Sequence, residues 1–426
     1  MKKIILALLV LLINLWVVAQ TNNELKGLIN QSFAYFNKIK EIENTINIAT
    51  EKVALIQLSN DPVVNASSNV SFAGPVPQFE LPLPSGTRTV QFQPRVSYGA
   101  SIGASYNLYD FGKLKATVDR AKIDITAAQH NVTAAKQQVA NQVSIVYYSI
   151  IYYQKAVAIE DSIIVFLKKN KQIVEAKFAN GDGLKLDVLT IQAAIDNEEN
   201  KKLDIQSMLQ KQQNVLAYIS GVSAVMQTAF DFDTKNVDTS IAFIEKNNIE
   251  FALLNDKINQ TNADIATIKL QDKPSLLATG ATGIRNGIAP NIANPRFNYI
   301  GGVTLTLPIY NGGKVKQQLK IQQQLLQQTN LAYNSLTTAY QKDVQQSLVD
   351  IATNIQRIEN LKSQIELTKY AQTIASTRFV NGIGSNIELL NAATNTQRAA
   401  YSNLQYQYQL CLAQLELARL QGIQYW

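Results

Sequence analysis

One cysteine, one histidine and two tryptophans in 426 residues set the first limits on this chain. Cys411 has no partner for a disulfide within the chain, and in an apolar helical stretch it reads as a small core residue. His130 stands without a cluster of other ligand types, so no metal centre is expected, and no cofactor either. No nucleophile–base pair, carboxylate pair or phosphate loop has a supporting context, because Gly181 to Gly183 follows a helix rather than a strand. An enzyme is therefore not expected. Beyond residue 19 no run of about 18 apolar residues occurs, which excludes a transmembrane helix. Charge is scarce too: 17% of residues are charged against 46% hydrophobic. Long soluble helices usually carry more charge than this, so something other than charge hides apolar surface.

What is present begins with a leader. Lys2-Lys3, the apolar stretch Ile4 to Val18 and the small-residue site Val17-Val18-Ala19 read as a secretory signal peptide over residues 1–19. No cysteine follows the cleavage site, so lipid attachment there is not expected. Losing Lys2 and Lys3 leaves 37 basic residues against 32 acidic ones, a net charge near +5. That charge is dispersed and lacks an aromatic platform, which together with export argues against nucleic acid.

The chain then says the same thing twice, 201 residues apart. Tyr109-Asp110-Phe111-Gly112-Lys113 returns as Tyr310-Asn311-Gly312-Gly313-Lys314. Lys177-Phe178-Ala179-Asn180-Gly181-Asp182-Gly183 returns as Arg378-Phe379-Val380-Asn381-Gly382-Ile383-Gly384. Two echoes in one order at one offset indicate an internal duplication. The repeats are placed at 20–220 and 246–426, with a connector at 221–245 that carries Asp231, Asp233 and Asp238.

Each repeat reads as a short helix, two strands and two long helices. The first helix runs from Glu24 to Ser59 and stops at Asn60-Asp61-Pro62. Strands are expected at about 62–74 and 93–109, joined by a Pro-rich loop from Pro75 to Pro84, and again at about 274–284 and 297–309. From Val96 to Leu108 apolar residues alternate without a miss with polar or small ones, the mark of a strand with one greasy and one wet face. The period then changes. Ala121, Ile125, Ala128, Val132, Ala135, Val139, Val143, Val146, Ile150, Tyr153 and Val157 follow three- and four-residue steps, a coiled-coil seam. Long helices are expected at about 113–179 and 184–220, then 314–380 and 385–421, reversing at Asn180-Gly181-Asp182-Gly183 and Asn381-Gly382-Ile383-Gly384. The Gln-rich run from Gln317 to Gln328 keeps a helical rhythm through Leu319, Leu325 and Leu326 and reads as a neutral helix face.

Four such strands have greasy faces and bare edges that would aggregate in water. In a bilayer the greasy face is an asset, but the edge must close, and the smallest bacterial barrels have about eight strands. The expectation is an oligomer in which each chain donates four strands, with greasy residues toward lipid and small polar ones toward a lumen. A secreted coiled-coil filament was the competing class; the Ala- and Gln-rich rods lack the charged flanks it needs.

On the two strand-to-helix turns and the two hairpin tips, Phe178 to Leu189 and Phe379 to Leu390, the chain resembles the TolC family of outer-membrane efflux proteins. The resemblance spans both halves of the mature chain. It implies a mixed α and β membrane protein: a trimeric 12-stranded transmembrane β-barrel, four strands per chain, continued by an antiparallel α-helical coiled-coil tunnel. It implies location in a Gram-negative outer membrane, in contact with its lipid, with the helices in the periplasm. It implies a periplasmic adaptor and an inner-membrane pump of the resistance-nodulation-division or ABC type as partners, in efflux or type I secretion. By the same resemblance Gly181, Gly183, Leu184, Gly382, Gly384 and Ser385 would touch the adaptor, or serve only as turn chemistry. Asp187, Glu388 and Asn391 would stand at the tunnel entrance, although either acid could equally be a carboxylate favoured by a helix N-terminus. Tyr109, Gly112, Tyr310 and Gly313 mark the strand-to-helix turns. Phe379 and Gly384 occupy positions that carry a tyrosine and an arginine latch in some members, so a less acidic and differently latched entrance is expected.

Overall fold

The structure is a computed structural model and describes residues 23–226, 229–232 and 238–426. The expected leader and Asp233 lie outside these residues. In chain order the elements are α1 (Asn23–Tyr35), α2 (Asn37–Gln57), β1 (Val63–Phe72), β2 (Gln78–Leu83), β3 (Gly86–Gln91) and β4 (Val96–Tyr109). There follow α3 (Lys113–Ala179), α4 (Lys185–Ser220), α5 (Ile241–Asn247), α6 (Ile249–Lys269), β5 (Ser275–Arg285), β6 (Arg296–Thr306), α7 (Lys314–Val380) and α8 (Asn386–Gln421). Contacts divide the chain into two units, one of residues 45–128 with 255–331 and one of the remainder. No helix among the described residues is long and apolar enough to cross a membrane.

The first unit contains an antiparallel four-stranded sheet in the order β1-β4-β5-β6. Its register explains the alternation in the sequence. Ala66 pairs with Ile102, Ile102 with Thr282 and Thr282 with Tyr299, so these residues share one face. Val70, Tyr98, Ile284 and Phe297 lie on the same side. The opposite face collects Ser67, Ser101, Gly283 and Asn298, and the Ser67 and Ser101 hydroxyls meet at 3.1 Å. The greasy face is uncovered: Val70 is 77% exposed and Tyr299 83%. β1 pairs only with β4 and β6 only with β5, so two outer edges have no ladder partner among the described residues.

Both strand-to-helix turns solve one geometric problem. Asp110 accepts the Gly112 and Leu114 amides at 2.9 and 2.5 Å, and Asn311 accepts the Gly313 amide at 3.1 Å, which satisfies donors that the new helix leaves open. Two left-handed residues then turn the chain: Gly312 (φ 67°) and Gly313 (φ 75°) before α7, Phe111 (φ 55°) and Gly112 (φ 88°) before α3. Phe111 holds a conformation that a side chain disfavours, and its ring packs edge-on against Tyr109 at 4.6 Å. Behind this turn α2 buries Val53 against Val118 and Ala121 of α3.

The second unit is helical. Its main core packs Leu25 and Ile29 of α1 against Val143, Tyr147 and Ile150 of α3, Leu216 of α4 and Leu415 of α8. Cys411 is buried in this core, and Trp426 stacks edge-on against Phe33. Most of the predicted α3 seam is buried, including Ala121, Ala128, Val132, Val139, Val143, Val146 and Ile150. Between Ala140 and Ile151 the helix is enclosed more widely, with Ser144, Tyr147 and Tyr148 fully buried as well. That is the pattern of a helix surrounded on most sides.

Two local expectations are corrected. The helix expected from Glu24 to Ser59 is broken at Phe36, which packs edge-on against Tyr218 at 5.4 Å, and it ends in a 3-10 turn at Leu58–Asn60. The Pro75 to Pro84 loop contains strand: β2 and β3 form a ribbon in register from Gln78–Gln91 to Leu83–Gly86. Pro82 suggested a loop, yet each strand of an isolated ribbon has a free edge that tolerates it.

The β4–β5 pairing makes a prediction. A Cβ added at Gly283 would lie 2.3 Å from the Ala100 carbonyl oxygen, whereas one at Gly302 meets nothing within 4 Å. Gly283→Ala should lower heat stability by about 1–3 kcal/mol through overpacking, and Gly302→Ala should be nearly silent. Thermal unfolding of the detergent-extracted protein checks both; equal effects would contradict the register.

Candidate functional site

The two helical reversals, and the layer of side chains that joins them, form the candidate site within the helical unit. Each tip needs two glycines for two different reasons. Gly181 (φ 84°) and Gly382 (φ 77°) take the left-handed conformation that ends α3 and α7. Gly183 and Gly384 instead lie against the helix they have just left. A Cβ on Gly183 would sit 2.9 Å from the Phe178 nitrogen, and one on Gly384 3.0 Å from the Phe379 nitrogen. The turns close through the Asp182 amide donating to the Lys177 carbonyl (2.9 Å) and the Ile383 amide donating to the Arg378 carbonyl (3.0 Å).

The return helices start differently. Ser385 caps α8, its hydroxyl accepting the Glu388 amide at 3.2 Å. Leu184 occupies the same position before α4 and offers no side-chain cap. It is 65% exposed, beside exposed Leu186 and Leu189, while Ile383 and Ile387 are exposed on the second tip. An apolar, solvent-facing residue at a capping position breaks a local rule without gain to the helix. The flanking Leu186, Leu189, Ile383 and Ile387 were not singled out from the sequence; their signal was a run of apolar residues at helix starts where polar ones are usual.

The tips are tied together. The Lys177 ammonium donates to the Phe379 carbonyl and lies 4.5 Å from the Phe379 ring centroid. Asn386, buried, donates to the Asp187 carbonyl at 3.2 Å. Above these contacts Ile191 and Ile195 of α4 and Leu389 and Ala393 of α8 close a core with Leu167 and Val174 of α3.

One layer further from the tips lies a carboxyl pair. Glu160 of α3 is 1% exposed. It accepts the Tyr401 hydroxyl at 2.6 Å, and Gln397 bridges it to Glu198 of α4, donating to Glu160 at 3.2 Å and to Glu198 at 2.7 Å. Lys201 pairs with Glu198 at 2.8 Å. Burial, with Glu198 close by, holds the Glu160 carboxyl above the usual range. Burial acts on Glu198 in the same sense but is outweighed by Lys201 and Gln397, which leave it below that range. Of the two carboxyls, Glu160 therefore binds a proton more readily. Sequence reading missed it because its members are spread over three helices.

The family model described as outer membrane efflux protein matches residues 63–222 and 245–422. The chain belongs to the outer membrane efflux protein family. Nodulation protein T of Rhizobium leguminosarum bv. trifolii is 20% identical over 388 residues, covering 88% of this chain and 80% of that protein. Among solved structures, a membrane protein from Pseudomonas aeruginosa has a TM-score of 0.78 at 17% identity, covering 96% of this chain and 92% of that one. The outer membrane protein VceC of Vibrio cholerae has a TM-score of 0.75 at 15% identity, covering 94% and 96%. The Campylobacter jejuni CmeC outer membrane channel has a TM-score of 0.74 at 17% identity, covering 94% and 86%. The fold is that of an outer-membrane efflux channel.

In this efflux-family chain the tip residues have distinct surroundings. Glu388 is exposed and reaches Arg378 of its own tip at 3.9 Å, a partner the sequence reading did not assign. Asn391 is exposed and Asp187 half-buried. Phe379 is buried in the core between the hairpins, and the tie there runs through Lys177. Tyr109, Gly112, Tyr310 and Gly313 lie in the strand-to-helix turns described above.

The carboxyl pair predicts a pH effect. The folded state raises the affinity of Glu160 for its proton, so the stability this provides is complete below the unfolded carboxyl value and is lost as pH rises through the folded one. Glu160→Gln mimics the protonated form at every pH. Its melting temperature relative to the wild type should therefore rise as pH increases above the unfolded carboxyl value of about 4. Parallel curves would show that folding does not raise the Glu160 carboxyl.

Proposed function

We propose that three copies of this chain close a 12-stranded barrel in the outer membrane of a Gram-negative cell and form an export duct whose helical part stands in the periplasm. The uncovered greasy face of an open four-stranded sheet carries this reading. Lipid accepts that face, and neighbouring copies supply ladders for β1 and β6. The small polar face would then line the lumen.

The hairpin tips are the proposed contact with a periplasmic adaptor, which would link the duct to an inner-membrane pump of the resistance-nodulation-division or ABC type. Leu184 and Ile383 support this, since they are exposed apolar side chains beside turns whose backbone is held by glycine. Transport requires no catalytic group of this chain; it supplies a route, and efflux or type I secretion depends on the pump.

The mass of the detergent-extracted form, with bound detergent subtracted, tests the assembly. Three chains are expected, and a monomer would refute the shared barrel. Leu184→Asp with Ile383→Asp tests the tips. Export should fall about tenfold or more, the effect of losing an apolar anchor, with trimer mass and membrane insertion unchanged. Normal export would exclude the tips as docking sites.

A further inference from the structure

We infer that the end of the sheet remote from the helices is an exit that selects oxyanions, built on Arg285 and Arg296. The four long strands contain no Asp, Glu or Lys, and these two arginines are their only charged residues. The register sets them directly opposite each other, both on the small polar face. Like charges in that position repel, and neither guanidinium has a carboxylate within ion-pair distance among the described residues. Arg285 and Arg296 are exposed; Arg296 donates to the Ala289 carbonyl at 3.3 Å. Gly99, beside Arg285 in the same cross-strand row, places no side chain over the pair.

The surroundings have the same sign. Arg95 pairs with Ala73 at the same end of the sheet, and Arg88 stands in the β3 ribbon strand. Glu80 is the sole acid in the two connecting segments, residues 73–95 and 286–295. Asp61, Asp110 and Asp272 all lie at the other end, where strands meet helices. Two guanidinium forks with no acid between them match carboxylate or phosphate groups, which one fork can hold through paired hydrogen bonds. Rings of Arg or Lys select anions in pores. The inference rests on the reading that the polar face lines a lumen: three copies of the pair would ring the exit and favour cargo bearing carboxylate or phosphate over cationic cargo.

The test is conductance of the purified full-length protein in a planar bilayer of zwitterionic lipid across a potassium chloride gradient. The wild type should pass chloride in preference to potassium, and inorganic phosphate added on the strand-loop side should reduce the chloride current. Arg285→Gln with Arg296→Gln should lower the chloride-to-potassium permeability ratio about twofold or more and abolish the phosphate effect. Arg285→Lys with Arg296→Lys should keep the ratio. Removing a like-charge pair relieves repulsion, so the glutamine variant should be no less heat-stable than the wild type, which checks its assembly. Pores without anion preference, or a ratio unmoved by glutamine, would overturn the inference and leave the channel reading standing. Failure of the wild type to form any pore would overturn the channel reading, and the inference with it.

Discussion

Everything in this chain answers to a sheet that cannot be satisfied alone. Four strands in the order β1-β4-β5-β6 expose an apolar face and end in two edges that have no ladder partner among the described residues. In water each edge is a template for aggregation. In lipid each unpaired backbone group costs several kcal/mol. On the proposed reading lipid covers the face and strands of neighbouring copies pair the edges, so membrane and oligomer would be two consequences of one constraint. Sparse charge fits this, because the surface that charge would keep soluble is designed to be covered.

The chain carries two strand pairs and two helical hairpins of like plan, but the two sets are not chemically equal. Gly312 makes the left-handed step before α7 where Phe111 makes it before α3, keeping an aromatic contact with Tyr109 at the cost of a disfavoured backbone. Ser385 caps α8 where Leu184 leaves α4 uncapped and exposes an apolar side chain. In each case one copy follows the local rule and the other gives it up for a contact or a surface. Departures from a local rule are expected at functional or strained sites.

Periodic features were legible in the sequence. The flawless alternation from Val96 to Leu108 specified β4 and its faces, since a period of two leaves one choice of side. The seam from Ala121 to Ile150 gave the buried stripe of α3. Turn chemistry located both tips through Asn-Gly. Features that depend on distant residues were not legible. Glu160, Glu198, Gln397 and Tyr401 lie on three helices and meet only once those helices pack. The Lys177 tie to Phe379 joins the two hairpins, and at the sequence level the ammonium was an ordinary last-turn cation. The β2–β3 ribbon was hidden by proline, whose usual meaning fails where strands have free edges.

Polar contacts between the two hairpins differ in what they demand of the helices. The apolar core around Ile191 and Leu389 tolerates sliding, because dispersion contacts are non-directional. The hydrogen-bond network of Glu160, Glu198, Gln397 and Tyr401 does not: its bonds are directional, and a displaced partner leaves a buried polar group unpaired. Such a group adds little net stability over a well-packed apolar one, yet its loss is costly, so its effect is to fix register. Near the tips the Lys177 tie is of the same kind but more exposed and therefore weaker. The hairpins are thus held strictly at the Glu160 layer and more loosely at the tips, and relative movement of the pair should be greatest at the tips themselves.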